Sequence, residues 1–266
     1  MTLPTPYYQD ADVTLYHGDS LMLLTELDSI GAIITDPPYS SGGAMRGDRM
    51  ASTVAKYVRT DAKVVRPDFS GDTRDQRAYF AWSTFWLSFA LHACRPSALC
   101  AVFTDWRQLP TLTDAIQAGG WCWRGIATWW KPGIRMQRGL MSSSAEYVCW
   151  GTAGPTDQTN PYSPQNVIKC APVKEKEHIA EKPAAVMDWL VRLCPPDAVL
   201  LDPFAGSGQT LLAARRAGIR SVGFEIEERY CEMIAKTMAQ SVLPQVGLQT
   251  DVIASQGTLA LEPPPP

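Results

Sequence analysis

The stretch "AVLLDPFAGSGQTLLAARRAG", residues 198–218, reads as an apolar strand, a glycine-containing turn and a helix. Gly206 and Gly208 allow positive φ angles and let a ligand approach the backbone closely. The helix that begins after Gly208 offers free N–H groups and the positive end of its dipole. The next strand, "RSVGFE", ends in Glu225, the place where nucleoside-binding folds hold ribose hydroxyls. Taken alone, the loop also fits a tight turn with a purely structural role in packing. Leu211 stands where a dinucleotide-binding motif has its third glycine, which argues against a pyrophosphate-binding site.

A second strand ends in an unusual turn, "IGAIITDPPYSSGG", residues 30–43. Its continuously apolar part is typical of a parallel strand that is covered on both faces. Pro37 and Pro38 remove two backbone donors and restrict two φ angles, so neither strand nor helix continues here. The sequence therefore predicts a stiff turn that presents Asp36 and Tyr39. A rigid turn without function would leave the acid at the strand end and the aromatic residue beyond it unexplained.

Strands alternate with helices along the chain, which predicts an open, mostly parallel α/β sheet. Strands are predicted in "DVTLYHG", "GAIITD", "SALCAVFTD", "WRGIATWWK", "SAEYVCWG", "AVLLD" and "RSVGFE". Helices are predicted in "GDSLMLLTEL", "RAYFAWSTFWLSFALHAC", "QLPTLTDAIQAGG", "KPAAVMDWLVRLC", "TLLAARRAG" and "EERYCEMIAKTMAQ". Residues 40–76 and 151–176 have no clear period, and we interpret both as loops.

The composition is that of a globular protein with a substantial core, because 45% of the 266 residues are hydrophobic and 19% are charged. No apolar run reaches the length of a membrane span, and the first residues lack the pattern of a signal peptide. The seven cysteines are scattered without a C-x-x-C pair, and the three histidines lie far apart. These features predict reduced thiols, a cytoplasmic location and no metal site.

The formal net charge of −3 hides an uneven distribution of bases. The segment "WRGIATWWKPGIRMQR", residues 123–138, contains four bases and no acid, and residues 40–80 contain eight bases and five acids. Such clusters fit local contact with phosphates, although a solvated face explains them equally well. The candidates for DNA contact are Lys131, Arg135 and Arg138 in the first segment, and Arg46 and Arg49 in the second.

The motifs "DPPY" and "DPFAGSG", in this order, resemble those of the DNA amino-methyltransferases, which use S-adenosylmethionine to methylate exocyclic amines of adenine or cytosine. The order resembles the circularly permuted β group of that family. The further motifs "YHGDS", "WWKP", "AEYVCWG", "HIAEKP" and "GFE" follow in family order, from Tyr16 to about Met238. The resemblance implies a Rossmann-like, doubly wound sheet with one antiparallel strand near its edge. It also implies that both loops meet where the strand order reverses.

The resemblance assigns the catalytic role to the turn of Asp36, Pro37, Pro38 and Tyr39. The Asp36 carboxylate and the Pro37 carbonyl would accept both N–H bonds of the target amine and direct its lone pair at the methyl group. The two prolines fix the direction of that carbonyl. Tyr39 would offer a face on which the extruded base stacks.

The resemblance likewise assigns cofactor contacts to the glycine-rich loop and to three residues outside it. Glu225 would hold the ribose hydroxyls, Asp19 would receive the adenine amino group, and Lys182 belongs to the segment that closes over the cofactor. Without a cofactor, Asp19 fits a helix N-cap and Lys182 a surface lysine. The loop residues assigned to the methionine part are Asp202, Phe204, Ala205, Gly206, Ser207, Gly208 and Thr210, of which Thr210 also fits an ordinary first-turn residue.

These motifs predict one methyltransferase domain over residues 1–240. We expect a catalytic part at 12–150, a small target-recognition insert at 151–177 and a cofactor part at 178–240. Residues 40–76 would form a loop on the DNA side, and residues 241–266 a flexible tail.

We expect a site-specific methyltransferase that acts on the N6 amine of a flipped adenine in double-stranded DNA. The turn begins with Asp36, where cytosine enzymes of the family often carry serine, but cytosine-N4 methylation remains the alternative. RNA or protein-amide methylation would suggest Asn at that position, and an inactive DNA-binding relic would predict damaged loops. The missing third glycine argues against an oxidoreductase. The resemblance to the family implies a bacterial or phage origin and a role in restriction-modification. The sequence is compatible with a homodimer, but no residue requires one.

Overall fold

The computed structural model describes residues 2–40, 73–134, 138–139, 141–156, 158–173, 182–195 and 197–241. Within these ranges, nine strands form one sheet: β1 Tyr8–Gln9, β2 Val13–His17, β3 Ile30–Thr35, β4 Cys94–Thr104, β5 Cys122–Trp130, β6 Ala145–Thr152, β7 Val167–Lys169, β8 Leu200–Asp202 and β9 Ser221–Glu225. The helices of the same ranges are α1 Ser20–Leu23, α2 Gln76–His92, α3 Leu109–Ala118, α4 Ala184–Val191, α5 Gln209–Arg216 and α6 Glu228–Ser241. A 3-10 turn, Leu24–Glu26, follows α1.

The strand order is β1-β2-β9-β8-β3-β4-β6-β5-β7. From β3 the chain passes through α2 to β4 on one side, whereas from β8 it passes through α5 to β9 on the other side. The order therefore reverses between β3 and β8, which are parallel neighbours. Strand β6 runs antiparallel to both β4 and β5, and the short β1 runs antiparallel to β2. The predicted doubly wound, mostly parallel sheet is confirmed.

Strand β3 lies at the centre of the core, and all six of its residues are buried. Ile33 faces the layer that contains Trp86 of α2, whereas Ile34 faces the layer that contains Met187 of α4. Successive side chains of a strand point to opposite faces, so helices on both sides cover β3 completely. This two-sided cover explains why its sequence is continuously apolar.

Local signals set the ends of the central helices. Asp75 caps α2, because its side chain accepts a hydrogen bond from the backbone N–H of Ala78 at 2.8 Å. Helix α3 has a proline in its first turn and is capped at its C-terminus by Gly119, which is followed by Gly120 with φ of +92°. The predicted helix that closes on these two glycines is confirmed.

The structure differs from the sequence prediction mainly in short elements. Strands β1 and β7 were not predicted, because two or three residues carry no readable period. The predicted helix after β2 is one short turn of α-helix followed by the 3-10 turn. Most of the predicted loop at 40–76 and all but the first residue of the predicted tail at 241–266 lie outside the described residues. All seven cysteines are free thiols.

Candidate active site

The turns that follow β3 and β8 lie side by side, because these two parallel strands are neighbours. The Thr35 hydroxyl donates a hydrogen bond to Oδ1 of Asp202 at 2.6 Å, which joins the last residues of the two strands. Open α/β sheets bind ligands in the crevice beyond the carboxyl ends of the strands where the order reverses. The structure therefore brings the Asp36 turn and the Gly206–Gly208 loop to one crevice.

Asp36 is the first residue after β3, and each of its carboxylate oxygens accepts a hydrogen bond. The Tyr39 hydroxyl donates to Oδ1 at 2.7 Å, and the Lys182 ammonium group donates to Oδ2. The Lys182 side chain is 7% exposed, and its Nζ lies 5.1 Å from the centre of the Phe103 ring. Lys182, which the resemblance assigned to the cofactor segment, thus meets the acid of the catalytic turn.

Glu146, the second residue of β6, completes this charged cluster. Because β6 is antiparallel, its first residues lie at the same edge of the sheet as the last residues of β3 and β4. Its Oε1 accepts from Lys131 at 3.0 Å, while its Oε2 lies 3.3 Å from the Tyr39 hydroxyl and 3.4 Å from Nζ of Lys182. Glu146 was not among the predicted site residues. Its position in "AEYVCWG" indicates the role only when the direction of β6 is known.

Burial and mutual charge shift the pKa values of this cluster. Burial raises the pKa of the Asp36 carboxyl; Lys182 opposes this shift and Glu146 adds to it. Burial lowers the pKa of Lys182, but the carboxylates of Asp36 and Glu146 bring it above its ordinary value. Burial also raises the pKa of the Tyr39 phenol well above its usual range. Lys182 and Tyr39 therefore keep their protons, whereas Asp36 takes up a proton more readily than an exposed aspartate.

The glycine-rich loop begins with Asp202, the buried last residue of β8. Its Oδ1 also accepts the backbone N–H of Phe204 at 3.1 Å, and burial raises the pKa of its carboxyl to about 6. Gly206 and Gly208 have φ of +52° and +78°, which confirms the positive φ angles predicted for them. Among the described residues, the nearest atom to a Cβ built on Gly206 is the Phe204 carbonyl oxygen at 3.9 Å, so this bend has open space beside it.

Two acids stand beside this loop on neighbouring strands. Glu225 ends β9, and its carboxylate accepts the backbone N–H groups of Gly206 and Glu227, both at 2.8 Å. Burial raises the pKa of Glu225 to about 7. Asp19 follows β2 and caps α1 by accepting the N–H of Leu21 at 2.9 Å, so it has the structural role that the sequence left open. Carboxylates accept hydrogen bonds from hydroxyl and amino groups, and with the open bend at Gly206 they fit a nucleoside-bearing cofactor.

The rest of the loop is fixed by packing. The Phe204 ring lies 5.3 Å from the rings of both Trp82 and Trp86 on α2. Thr210 is buried in the first turn of α5, and its side chain hydrogen-bonds to Asp202. Helix α2 therefore supports the loop from one side. The remaining loop residues assigned to the cofactor are Ala205, which is buried, and Ser207, which is half-buried.

The structure describes two of the basic residues predicted to contact DNA. Arg138 is exposed, whereas the Lys131 side chain is 14% exposed and paired with Glu146. Lys131 therefore lies at the crevice and not on an open basic face. The predicted contacts Arg46, Arg49 and Arg135 lie outside the described residues.

Aromatic side chains with cationic partners extend the same edge of the sheet. Trp129, near the end of β5, is buried. Trp130 is 44% exposed, with Nζ of Lys169 lying 4.9 Å from its ring centre. Trp106, which follows β4, is 54% exposed and lies 4.7 Å from the Arg107 guanidinium carbon. Exposed aromatic and cationic groups of this kind suit contacts with bases and phosphates.

Two further findings concern the described residues as a set. None of their helices combines the length and the apolar character needed to cross a membrane. In the same part of the chain, His, Cys, Asp and Glu side chains form no group of three or more that could hold a metal ion.

The reversal of strand order, with the acid–proline turn and the glycine bend beside it, defines a doubly wound, Rossmann-like domain whose crevice suits a nucleoside-bearing cofactor. The family model N6_N4_Mtase, described as DNA methylase, matches residues 30–236. The chain therefore belongs to this family of DNA methylases, and the predicted DNA amino-methyltransferase is confirmed at the level of the family.

Individual relatives agree with this placement. The chain is 28% identical to the Type II methyltransferase M.ScaI of Streptomyces caespitosus over 272 residues, covering 87% of this chain and 83% of the relative. Its fold is similar to that of PvuII DNA methyltransferase (cytosine-N4-specific), with a TM-score of 0.67, 18% identity and coverage of 93% and 90% of the two chains. It is also similar to the M1.HpyAVI–SAM complex, with a TM-score of 0.59, 20% identity and coverage of 85% and 99%.

Proposed function

We propose that this protein transfers a methyl group from S-adenosylmethionine to the exocyclic N6 amine of an adenine in double-stranded DNA. One observation carries the proposal: the hydrogen bond from Thr35 to Asp202 joins the catalytic turn and the cofactor loop into one crevice. A methyl donor and an acceptor amine must meet in line at one place, and this crevice supplies such a place.

The chain's residues fit the cofactor. The open bend at Gly206 admits a ligand close to the backbone. Glu225 accepts two backbone N–H groups that fix its orientation, and we assign it to the ribose hydroxyls. Asp19, held at the end of the neighbouring strand, is assigned to the adenine amino group. When bound, S-adenosylmethionine supplies a methyl group on a positively charged sulfur.

The catalytic turn prepares the target amine. In an aromatic amine the nitrogen lone pair is delocalised into the ring, so the nitrogen is a weak nucleophile. Acceptance of its two N–H bonds by the Asp36 carboxylate and the Pro37 carbonyl favours a pyramidal nitrogen whose lone pair faces the methyl carbon. The bound cofactor would supply the methyl group to this nitrogen, with the electron pair of its carbon–sulfur bond remaining on sulfur. The nitrogen then loses a proton, and Asp36 is suited to accept it because burial raises its pKa.

Tyr39 holds the base in this position. Its hydroxyl is tied to Asp36 at 2.7 Å, which fixes the ring beside the carboxylate. A base taken out of the helix loses its stacking partners, at a cost of about a few kcal/mol, and the face of an aromatic ring replaces part of that stacking.

A second target, the N4 amine of cytosine, has its own support. The PvuII enzyme, whose fold is similar to that of this chain, is cytosine-N4-specific. The amines of the two bases present the same N–H geometry, so the turn can serve either. Asp36 as the first residue of the turn supports adenine.

The test is to methylate mixed-sequence DNA with radiolabelled cofactor, digest it to nucleosides and identify the labelled nucleoside. We expect N6-methyl-2′-deoxyadenosine; label only in N4-methyl-2′-deoxycytidine would establish the second candidate. Asp36→Ala should lose transfer by about a thousandfold or more while cofactor affinity stays unchanged, because it removes an acceptor used in the transition state. Wild-type turnover by Asp36→Ala would refute the mechanism.

A further inference from the structure

The two donors that hold Asp36 share a second acceptor. The Tyr39 hydroxyl lies 2.7 Å from Oδ1 of Asp36 and 3.3 Å from Oε2 of Glu146. The Lys182 ammonium group bonds to Oδ2 of Asp36 and lies 3.4 Å from the same Oε2. The other oxygen of Glu146 is held by Lys131 at 3.0 Å. One oxygen of Glu146 is thus anchored, and the other faces both partners of Asp36.

This arrangement matters because the target amine needs the same carboxylate. The Lys182 ammonium group carries a full positive charge opposite the carboxylate, whereas the N–H donor of a base is neutral, so Lys182 competes well for Asp36. Lys182 is buried, and a buried ammonium group that loses its partner is strongly destabilised. Lys182 can release Asp36 only if another carboxylate accepts it.

We propose, on the basis of the function proposed above, that Glu146 is a positioning residue that takes over the hydrogen bonds of Lys182 and Tyr39 when the target amine binds Asp36. The two longer contacts must shorten by about 0.5 Å to reach normal hydrogen-bond lengths, which side-chain rotation achieves. Lys131 keeps the Glu146 carboxylate in place during the exchange. The same two carboxylates and the same two ammonium groups, those of Lys131 and Lys182, are present before and after the exchange, so the net charge of the cluster does not change.

The first test is the turnover of Glu146→Gln, which keeps the shape of the side chain and removes its charge. We expect kcat to fall about tenfold or more, because Lys182 then stays on Asp36, while cofactor affinity stays unchanged. The titratable groups facing Asp36 include Tyr39 of its own turn, Glu146 on β6, Lys182 before α4 and Asp202 at the end of β8. Because Glu146 raises the pKa of Asp36, its neutralisation should move the acid limb of the kcat profile to lower pH. Glu232→Gln, on the exposed face of α6, is the matched control and should behave as wild type.

A double-mutant cycle separates this role from a merely structural one. In a Lys182→Met background no ammonium group needs a second acceptor, so Glu146→Gln should lower kcat much less than it does in the wild type. An equal loss in both backgrounds, or an unmoved pH profile, would overturn the inference while the proposed function stands. No methyl transfer by the wild-type protein would overturn both.

If Glu146→Gln does not fold, Lys131→Met loosens Glu146 without changing its charge. We expect a loss of kcat that disappears in the Lys182→Met background. The same loss in both backgrounds would again contradict the exchange of acceptors.

Discussion

Two glycines of the loop after β8 have left-handed backbone angles, yet their replacement by alanine should have different effects. A non-glycine residue in this conformation costs about 1–2 kcal/mol. At Gly208, a Cβ would also lie 3.0 Å and 3.3 Å from two side-chain carbons of Ile234 on α6. Overpacking of a buried contact costs about 1–3 kcal/mol, so Gly208→Ala should lose about 3 kcal/mol of unfolding free energy. Gly206→Ala should lose only the backbone cost, because its Cβ points into open space.

Gly218→Ala is the control for this comparison, since its φ is +69° and no atom of the described residues lies within 4 Å of the added Cβ. Urea unfolding followed by tryptophan fluorescence gives the stabilities, and calorimetry gives the affinity for S-adenosylmethionine. We expect Gly206→Ala to match Gly218→Ala in stability but to bind the cofactor about tenfold more weakly. The reason is that the alanine side chain occupies the open space beside the bend, where the cofactor would approach the backbone. Unchanged cofactor affinity in Gly206→Ala, or Gly208→Ala as stable as Gly218→Ala, would refute this account of the loop.

Three other predictions test the charges of the site. Burial raises the pKa of Glu225 in the folded protein from 4.5 to about 7, so the folded state binds the extra proton. The unfolding free energy of the wild type relative to Glu225→Gln should therefore fall as the pH rises from 4.5 to about 7, and it should be constant outside this pH range. Urea titrations measure this difference, and an increase of the relative unfolding free energy within the range would contradict the raised pKa of Glu225. Thr35→Val should cost about 1–3 kcal/mol in thermal unfolding and raise the pKa of Asp202 further, because a buried acid loses a donor at 2.6 Å. Arg138→Ala should weaken DNA binding about equally for all sequences, reduce the salt dependence by about one phosphate contact and leave kcat unchanged; an unaltered salt slope would exclude such a contact.

The central part of the fold could be predicted because its signals are local and agree with one another. β3 is apolar throughout and ends in two prolines, and β8 ends in a turn with two glycines. In a parallel sheet the carboxyl ends of such strands lie at one edge, and the resemblance to the amino-methyltransferases implied that Asp36 meets the glycine loop there. The hydrogen bond between Thr35 and Asp202 supplies the contact that this reasoning could not specify.

Glu146 was missed for a physical reason. The rule that site residues follow the carboxyl ends of strands fails for β6, because this strand runs antiparallel and places its first residues at the crevice. A single sequence does not state the direction of a strand. The position of Lys182 was equally unreadable, since its contact with Asp36 joins residues that are distant in the chain.

The position of β8 and β9 between β2 and β3 has a consequence for biosynthesis. While the ribosome is still making the middle of the chain, β2 and β3 have emerged, but each lacks the strand that will cover one of its sides. The open backbone groups of such edges can pair with another nascent chain. Only when residues up to Glu225 have emerged can the last two strands fill the gap and join the first strands into a single sheet. A translation product that stops short of this point contains the complete acid–proline turn, but its sheet lacks the two strands that join β2 to β3. We expect the quality-control proteases of the cell to degrade such a chain.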